Sequence, residues 1–209
     1  MGWLEGSVLV RVNGQLLRVP LGLTVIKALE VVGVVLMRYC YSERLRVSGN
    51  CRSCLVEVEG QSKVGLGCVE VVREGMSLFI DSSFVSKRKE GVLEFLLRNH
   101  PLDCPVCDQG GECDLQEGSG LVGSGRGRMF EDYRREVVRR GFSSKVVDFM
   151  RRCILCSRCA RYDSRGDVGL SLGLLGRSEG SSVSCYSAGS RGSSLVGNVI
   201  DLCPVGLLR

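Results

Sequence analysis

Large aromatic rings are scarce in this chain: 209 residues contain six Phe, five Tyr and one Trp. Apolar residues make up 44%, enough for a globular core, but 28 Gly and 12 Cys accompany them. That balance points to small modules held by more than hydrophobic burial. Metal ions supply such stabilisation, because their binding free energy becomes folding free energy. No apolar run approaches membrane-spanning length, and no Asn-x-Ser/Thr acceptor occurs. The opening Met1-Gly-Trp-Leu-Glu-Gly6 lacks the basic start and apolar run of an export signal. Without export a disulfide framework has no oxidising compartment, so reduced cysteines acting as metal ligands are expected.

Lysine is also rare, at five against 23 Arg, within a net charge of +5. The densest basic run, Arg126 to Arg140, is interrupted by Glu131, Asp132 and Glu136. With few aromatics to stack bases, the run predicts a solvated helix face or a protein-docking surface rather than a nucleic-acid site. Arginine's planar fork suits ion pairs with acidic protein partners.

Along the chain, Ser7–Val12 and Gln15–Val19 alternate as strands around Asn13-Gly14, a strong two-residue hairpin signal. Thr24 is placed to cap a helix from Val25 to Val32, stopped by Gly33. Hairpin followed by helix is how a β-grasp fold begins. Leu55–Glu59 and Met76–Ile80 read as further strands. Ser86 to Asn99 reads as a helix with Val92, Phe95, Leu96 and Asn99 along one side, ended by Pro101. Gly118-Ser-Gly-Leu-Val-Gly123 matches G-x-G-x-x-G but follows no strand, so it predicts a flexible connector and not a nucleotide loop. Part of Phe130–Val147 reads as helical.

The cysteines fall into sets. His100, the only histidine, begins His-x3-Cys104-x2-Cys107-x5-Cys113. Taken alone, these four donors fit a tetrahedral zinc or one four-iron cube equally well. Cys40-x10-Cys51-x2-Cys54-x13-Cys68 holds one Cys-x2-Cys where a zinc ribbon needs two. Its spacing and β surroundings favour a [2Fe–2S] cluster. The loop before Cys51, with Gly49, predicts backbone N–H groups aimed at sulfur. Cys153-x2-Cys156-x2-Cys159 with the remote Cys203-Pro204 has the bacterial ferredoxin arrangement for a [4Fe–4S] cluster. Eleven cysteines and one histidine thus fill three four-ligand sets. Cys185 is left over, as a small buried or free thiol. No paired carboxylates suggest acid–base catalysis, so the chain reads as an electron wire rather than a reaction centre. A zinc-binding interaction protein is the rival from another class.

The segments Cys40–Val58, Phe95–Gln116, Arg152–Arg161 and Gly197–Gly206 resemble the N-terminal part of the large iron–sulfur subunit of NADH:quinone oxidoreductase, respiratory complex I. The resemblance implies an α+β chain of three modules. Residues 1–82 would form a β-grasp [2Fe–2S] domain. Residues 83–122 would form a small helical His(Cys)3 [4Fe–4S] segment, and 123–209 an α+β ferredoxin-like [4Fe–4S] domain. It implies electron relay from a flavin- and NADH-binding partner towards quinone-side subunits, as part of a proton-translocating respiratory enzyme, with no active site of its own. It also implies a mitochondrial inner-membrane, matrix-side peripheral arm, or the cytoplasmic face of a bacterial membrane, with no membrane span and no nucleic acid. The family usually continues into a molybdopterin-oxidoreductase-like domain, whereas this sequence ends six residues after Cys203. That suggests a split subunit whose remainder is made as a separate chain or lost, and the missing targeting segment suggests an organelle-encoded or bacterial protein. The fourth cluster of some bacterial members lacks cysteines here. The diaphorase small subunit of an NAD-reducing hydrogenase has a similar module and is the nearest alternative.

Overall fold

The computed structural model describes residues 6–128, 134–137, 145–164, 169, 171–186 and 194–209. The chain divides into two compact units. The first comprises Met1–Arg38 and Arg52–Leu93, the second Tyr39–Cys51 and Glu94–Arg209.

The first unit is built on a five-stranded mixed sheet. Strands β1 (Ser7–Val12) and β2 (Gln15–Pro20) form the expected hairpin, with Val12 opposite Gln15. Asn13 and Gly14 both take positive φ, +48° and +89°, the conformation a two-residue turn needs. Helix α1 (Val25–Val31) follows and buries Val25, Ile26, Ala28 and Leu29. Thr24 precedes it in extended conformation but makes no side-chain cap. Strands β3 (Leu55–Val58), β4 (Gly65–Leu66) and β5 (Ser77–Phe79) complete the order β2-β1-β5-β3-β4. β5 lies parallel to β1, and this crossing makes the sheet a β-grasp. Along β1 every second residue, Val8, Val10 and Val12, faces the core, as period-two alternation dictates.

Helix α2 (Ser83–Asn99) starts three residues before the expected position. The Ser82 hydroxyl accepts the Val85 N–H at 3.2 Å, an N-cap that fixes the start. Its buried stripe is Val85, Lys89 and Leu93, not the expected one: Phe95 is 69% exposed. A lysine on the inward face hid that stripe from hydrophobic pattern. Lys89 is buried and donates to the Ile80 carbonyl at 2.8 Å. Burial holds its amine below the ordinary lysine range.

The second unit is made of shorter pieces: α3 (Asp114–Val122), α4 (Arg158–Asp163), α5 (Asn198–Asp201), and the antiparallel ribbon of β6 (Leu172–Leu175) with β7 (Ser182–Cys185). The glycine-rich segment 118–123 is not a connector: Gly118 and Gly120 lie inside α3, and Gly123 caps it. Leu115 and Gly118 are buried, and Asp114 and Glu117 sit in the first turn, where the helix dipole favours them. Residues 147–149 pair with 207–209, through Phe149 N–H to the Leu207 carbonyl at 2.7 Å and a reciprocal Val147–Arg209 pair. The expected helix within 130–147 lies largely outside the described residues, and the described 134–137 are irregular. Among the described residues no helix is long and apolar enough to cross a membrane.

Candidate metal centres

Three local devices in the second unit bring His100, Cys104, Cys107 and Cys113 to the wall of one pocket, beside Asp103 and Arg152. Helix α2 ends at Asn99, directly before His100. A single 3-10 turn, Cys104–Val106, then closes with Cys107 N–H on the Cys104 carbonyl. Cys113 forms the extended residue that opens α3. Gly110 is required here, because an added Cβ would lie 2.9 Å from the Cys104 carbonyl oxygen. Gly206 is required too: its Cβ would fall 2.3 Å from the Cys107 sulfur.

The pocket's electrostatics favour a neutral imidazole. Burial pulls the His100 pKa down to about 4, with Arg152 and Arg134 adding to the effect and Asp103 opposing it. A metal ligand must be neutral, so burial outweighs the helix C-terminus, which favours a cation. Arg134 further occupies the helix end: it donates to the carbonyls of Leu97 at 2.9 Å and His100 at 2.5 Å. Arg152 is 4% exposed and binds Asp103 at 3.0 Å and the Gly206 carbonyl at 3.2 Å. Burial raises the Cys113 thiol.

Cys153, Cys156, Cys159 and Cys203 form the second set. Leu155 and Ser157 both take left-handed backbone, at φ +55° and +61°, although neither is glycine. Alternating handedness turns successive N–H groups inward, into the concavity that suits anions and iron–sulfur sites. The Leu155 N–H accordingly points at the Cys153 sulfur at 3.3 Å. Arg158 N–H faces Cys156, and Val205, Leu207 and Leu208 N–H groups face Cys203. Burial nevertheless pushes the thiols up, Cys153 and Cys203 to about 11 and Cys156 to about 12, with Cys159 raised too. Their mutual repulsion as thiolates contributes, so the structure brings the four together. Were a metal centre to bind here, these thiols would have to release their protons.

The third set is divided between the units. Cys54 and Cys68, both buried, flank β3 and β4 in the first, where Gly67 N–H donates to the Cys54 carbonyl at 2.7 Å. Cys40 and Cys51 belong to the second. There the Cys40 N–H points at the Cys51 sulfur at 3.4 Å, a backbone donor from ahead of the glycine-bearing loop rather than from within it. Hydrogen bonding to Cys51 and burial raise the Cys40 thiol. Cys185 ends β7, half-buried.

The donor sets fit iron–sulfur clusters. All twelve cysteines are thiols, outside any disulfide. His100 Nδ1 is buried without a hydrogen-bond partner, as is the hydroxyl of the fully buried Tyr39, whose surroundings include Cys51 and Cys113. Among the described residues no three His, Cys, Asp or Glu side chains converge on one point for a single ion. A cluster asks for a wider ring, since its ligands are shared among several irons: one to each iron in a four-iron cube and two to each in a two-iron cluster.

Sequence reasoning missed the arginines around these sites. The basic run is not simply a solvated face: Arg134 caps α2, and Arg135 is 7% exposed and donates to the Cys153 carbonyl at 3.2 Å. Arg128 pairs with Glu94 at 2.6 Å. No sequence signal marked which cations turn inward, apart from their nearness to cysteines in the case of Arg152, Arg158 and Arg161.

A β-grasp unit plus ferredoxin-type cysteine loops defines the class of iron–sulfur electron carriers, and comparison with known proteins agrees. A 2Fe-2S iron-sulfur cluster binding domain family matches residues 5–82. The NADH-ubiquinone oxidoreductase-G iron-sulfur binding region matches 89–126, and the NADH-quinone oxidoreductase subunit 3 ferredoxin-like domain matches 143–209. Over nearly its whole length the chain is similar to large iron–sulfur subunits of NADH:ubiquinone oxidoreductase, spanning less than a third of each. It is 47% identical over 98% of its length to NADH dehydrogenase [ubiquinone] iron-sulfur protein 1, mitochondrial, of Solanum tuberosum, spanning 28% of that protein. It is 47% identical over 95% of its length to the NADH-ubiquinone oxidoreductase 75 kDa subunit of Reclinomonas americana, spanning 29% of it. The mitochondrial NADH-ubiquinone oxidoreductase 78 kDa subunit of Candida albicans is 45% identical over 97% of this chain, which spans 28% of it. In the crystal structure of an NAD+-reducing [NiFe]-hydrogenase, a chain 23% identical shares the fold, with a TM-score of 0.85 over 98% of this chain and 87% of that one.

Proposed function

We propose that the chain relays single electrons within NADH:ubiquinone oxidoreductase, from a flavin- and NADH-binding partner towards the quinone-side subunits. When bound, iron–sulfur clusters accept and release one electron at a time over a potential range set by ligands and surroundings. Cys40, Cys51, Cys54 and Cys68 would hold one [2Fe–2S] cluster. His100, Cys104, Cys107 and Cys113 would hold one [4Fe–4S] cluster, and Cys153, Cys156, Cys159 and Cys203 another. The three modules would be 1–82, 83–122 and 123–209.

The observation that carries this reading is the half-buried His100, its imidazole held neutral, beside three cysteines in one pocket. The chain's own residues bury Cys40, Cys54, Cys68, Cys113, Cys156 and Cys159, leave Cys104 exposed, keep the imidazole unprotonated and aim backbone N–H groups at sulfur. The partners would be complex I subunits. The place would be the matrix-side arm at the mitochondrial inner membrane, or its bacterial counterpart, where the whole assembly translocates protons.

Anaerobic purification should give a brown chain with about ten irons and reduced-state EPR signals of both cluster types. Affinity isolation from the source membranes should recover membrane subunits and quinone reductase activity. A colourless protein with stoichiometric zinc would end the proposal, and co-isolation of a nickel–iron subunit would replace complex I with a hydrogenase.

A further inference from the structure

Segment 39–51 carries two cysteines, has no regular secondary structure, and belongs to the second unit although both its flanks belong to the first. Two side chains tie it to the Cys153–Cys159 loop through hydrogen bonds seen among the described residues. The Asn50 amide donates to the Leu155 carbonyl at 3.1 Å and to the Ser157 hydroxyl at 3.4 Å. The Ser48 hydroxyl steadies it from behind, donating to Asn50 Oδ1 at 2.8 Å. Arg161, on α4, reaches the other way. Its guanidinium donates to the carbonyls of Cys40 and Arg46, and to the Ser157 hydroxyl at 3.1 Å and the Cys156 carbonyl at 3.4 Å. Leu155 and Ser157, the two left-handed residues, are thus the points the clasp grips.

From this geometry we propose that Arg161 and Asn50 are positioning residues that lock the Cys40–Cys51 loop onto the Cys153–Cys159 loop, with Arg161 also placing a fixed positive charge beside Cys156. The acceptors named for Arg161 are all neutral oxygens. Its charge is therefore left to act on neighbouring sulfur. Asn50 has the same positional task and no charge, so the two roles separate. A positive charge near a cluster favours its reduced, more negative form and raises its potential. The potential part rests on the function proposed above. The positional part does not.

The test uses the full 209-residue chain, purified anaerobically with its iron. Hydrogen exchange by mass spectrometry reads segment 39–51, and redox-titrated EPR reads the midpoints. Arg161→Gln should speed exchange of 39–51 about tenfold. It should also lower one [4Fe–4S] midpoint by about a tenfold change in the oxidised-to-reduced ratio, about 59 mV for one electron. Asn50→Ala should speed the same exchange and leave the midpoints in place. Arg161→Lys should restore the midpoint while restoring exchange only in part. Unchanged exchange in both Arg161→Gln and Asn50→Ala overturns the clasp. An Arg161→Lys midpoint as low as that of Arg161→Gln, or no shift in either, overturns the charge. Should Arg161→Gln fail to take up iron, exchange in Asn50→Ala decides for or against the clasp, and the midpoint of Arg161→Met, which removes the charge while keeping side-chain bulk, decides the charge: a fall supports it, retention overturns it. If the wild-type chain itself carries no iron–sulfur cluster, the proposed function fails, while exchange in the metal-free chain still judges the clasp.

Discussion

The two units reach order by different means. In the first, Val10, Ile26, Leu29, Val56 and Leu78 are all nearly inaccessible to solvent beneath a five-stranded sheet, the layered arrangement of an ordinary small domain. The second has short helices, a two-stranded ribbon and long irregular stretches, and it buries the charged side chains of Arg135, Arg152 and Asp163 among its apolar ones. A unit that spends its interior on guanidinium groups and thiols needs another source of stability. The proposed ligand bonds would be that source, and the contrast teaches that the cysteines of the second unit would then belong to its fold as much as to its chemistry.

The sharpest way to break this contrast is to strip the iron. Chelation should release the second unit from cooperative structure while the amides of β1, β3 and β5 stay protected. Hydrogen exchange read unit by unit checks this, and equal loss in both units would erase the distinction. Next in size are matched core truncations. Leu29→Ala in α1 should cost about 3 kcal/mol in urea unfolding of the first unit, with iron content unchanged. Met150→Ala, equally buried but just ahead of Cys153, should lower iron per chain instead. A smaller effect is expected from His100→Cys. An added thiolate brings negative charge to the cluster and should lower its midpoint by about a tenfold ratio, about 59 mV. An unmoved midpoint in redox-titrated EPR would refute it.

The smallest effect concerns Lys89. Its folded pKa lies below the ordinary 10.5 because of burial. Between that lowered value and 10.5 the unfolded chain binds more protons than the folded one, so stability contributed by this group rises with pH through the window. Lys89→Met should flatten that rise in the first unit and cost about 1 kcal/mol for the Ile80 carbonyl it leaves unbonded. Parallel stability–pH curves for the two proteins would exclude the assignment.

Features governed by local rules could be read from the residues alone. Asn13-Gly14 demanded a hairpin, Pro101 demanded a helix end at His100, and the β-grasp followed from hairpin, helix and alternating strands. The ligand spacings announced the cysteine loops because short spacing is itself a geometric constraint. Features decided by distant partners stayed hidden. Lys89 broke the apolar stripe of α2, and its reason for facing inward, the Ile80 carbonyl, lies in another element. Gly118 and Gly120 each cost a helix about 1 kcal/mol, so packing around Leu115 overrode their propensity. The inward turns of Arg134, Arg135 and Arg152 depend on carbonyls and a carboxylate supplied by remote loops. Nothing near Tyr39 in sequence foretold that 39–51 would join the second unit.

The pairing of residues 147–149 with 207–209 gives the last strand-like residues a reach beyond their own neighbourhood. Cys203 stands a few residues upstream of that seam and Cys153 a few residues downstream of its other half, so the seam works as a buckle between donors fifty positions apart. Cutting the backbone after Gly206 would remove no cysteine, yet it should act on retention of the proposed cluster much as deleting a ligand does.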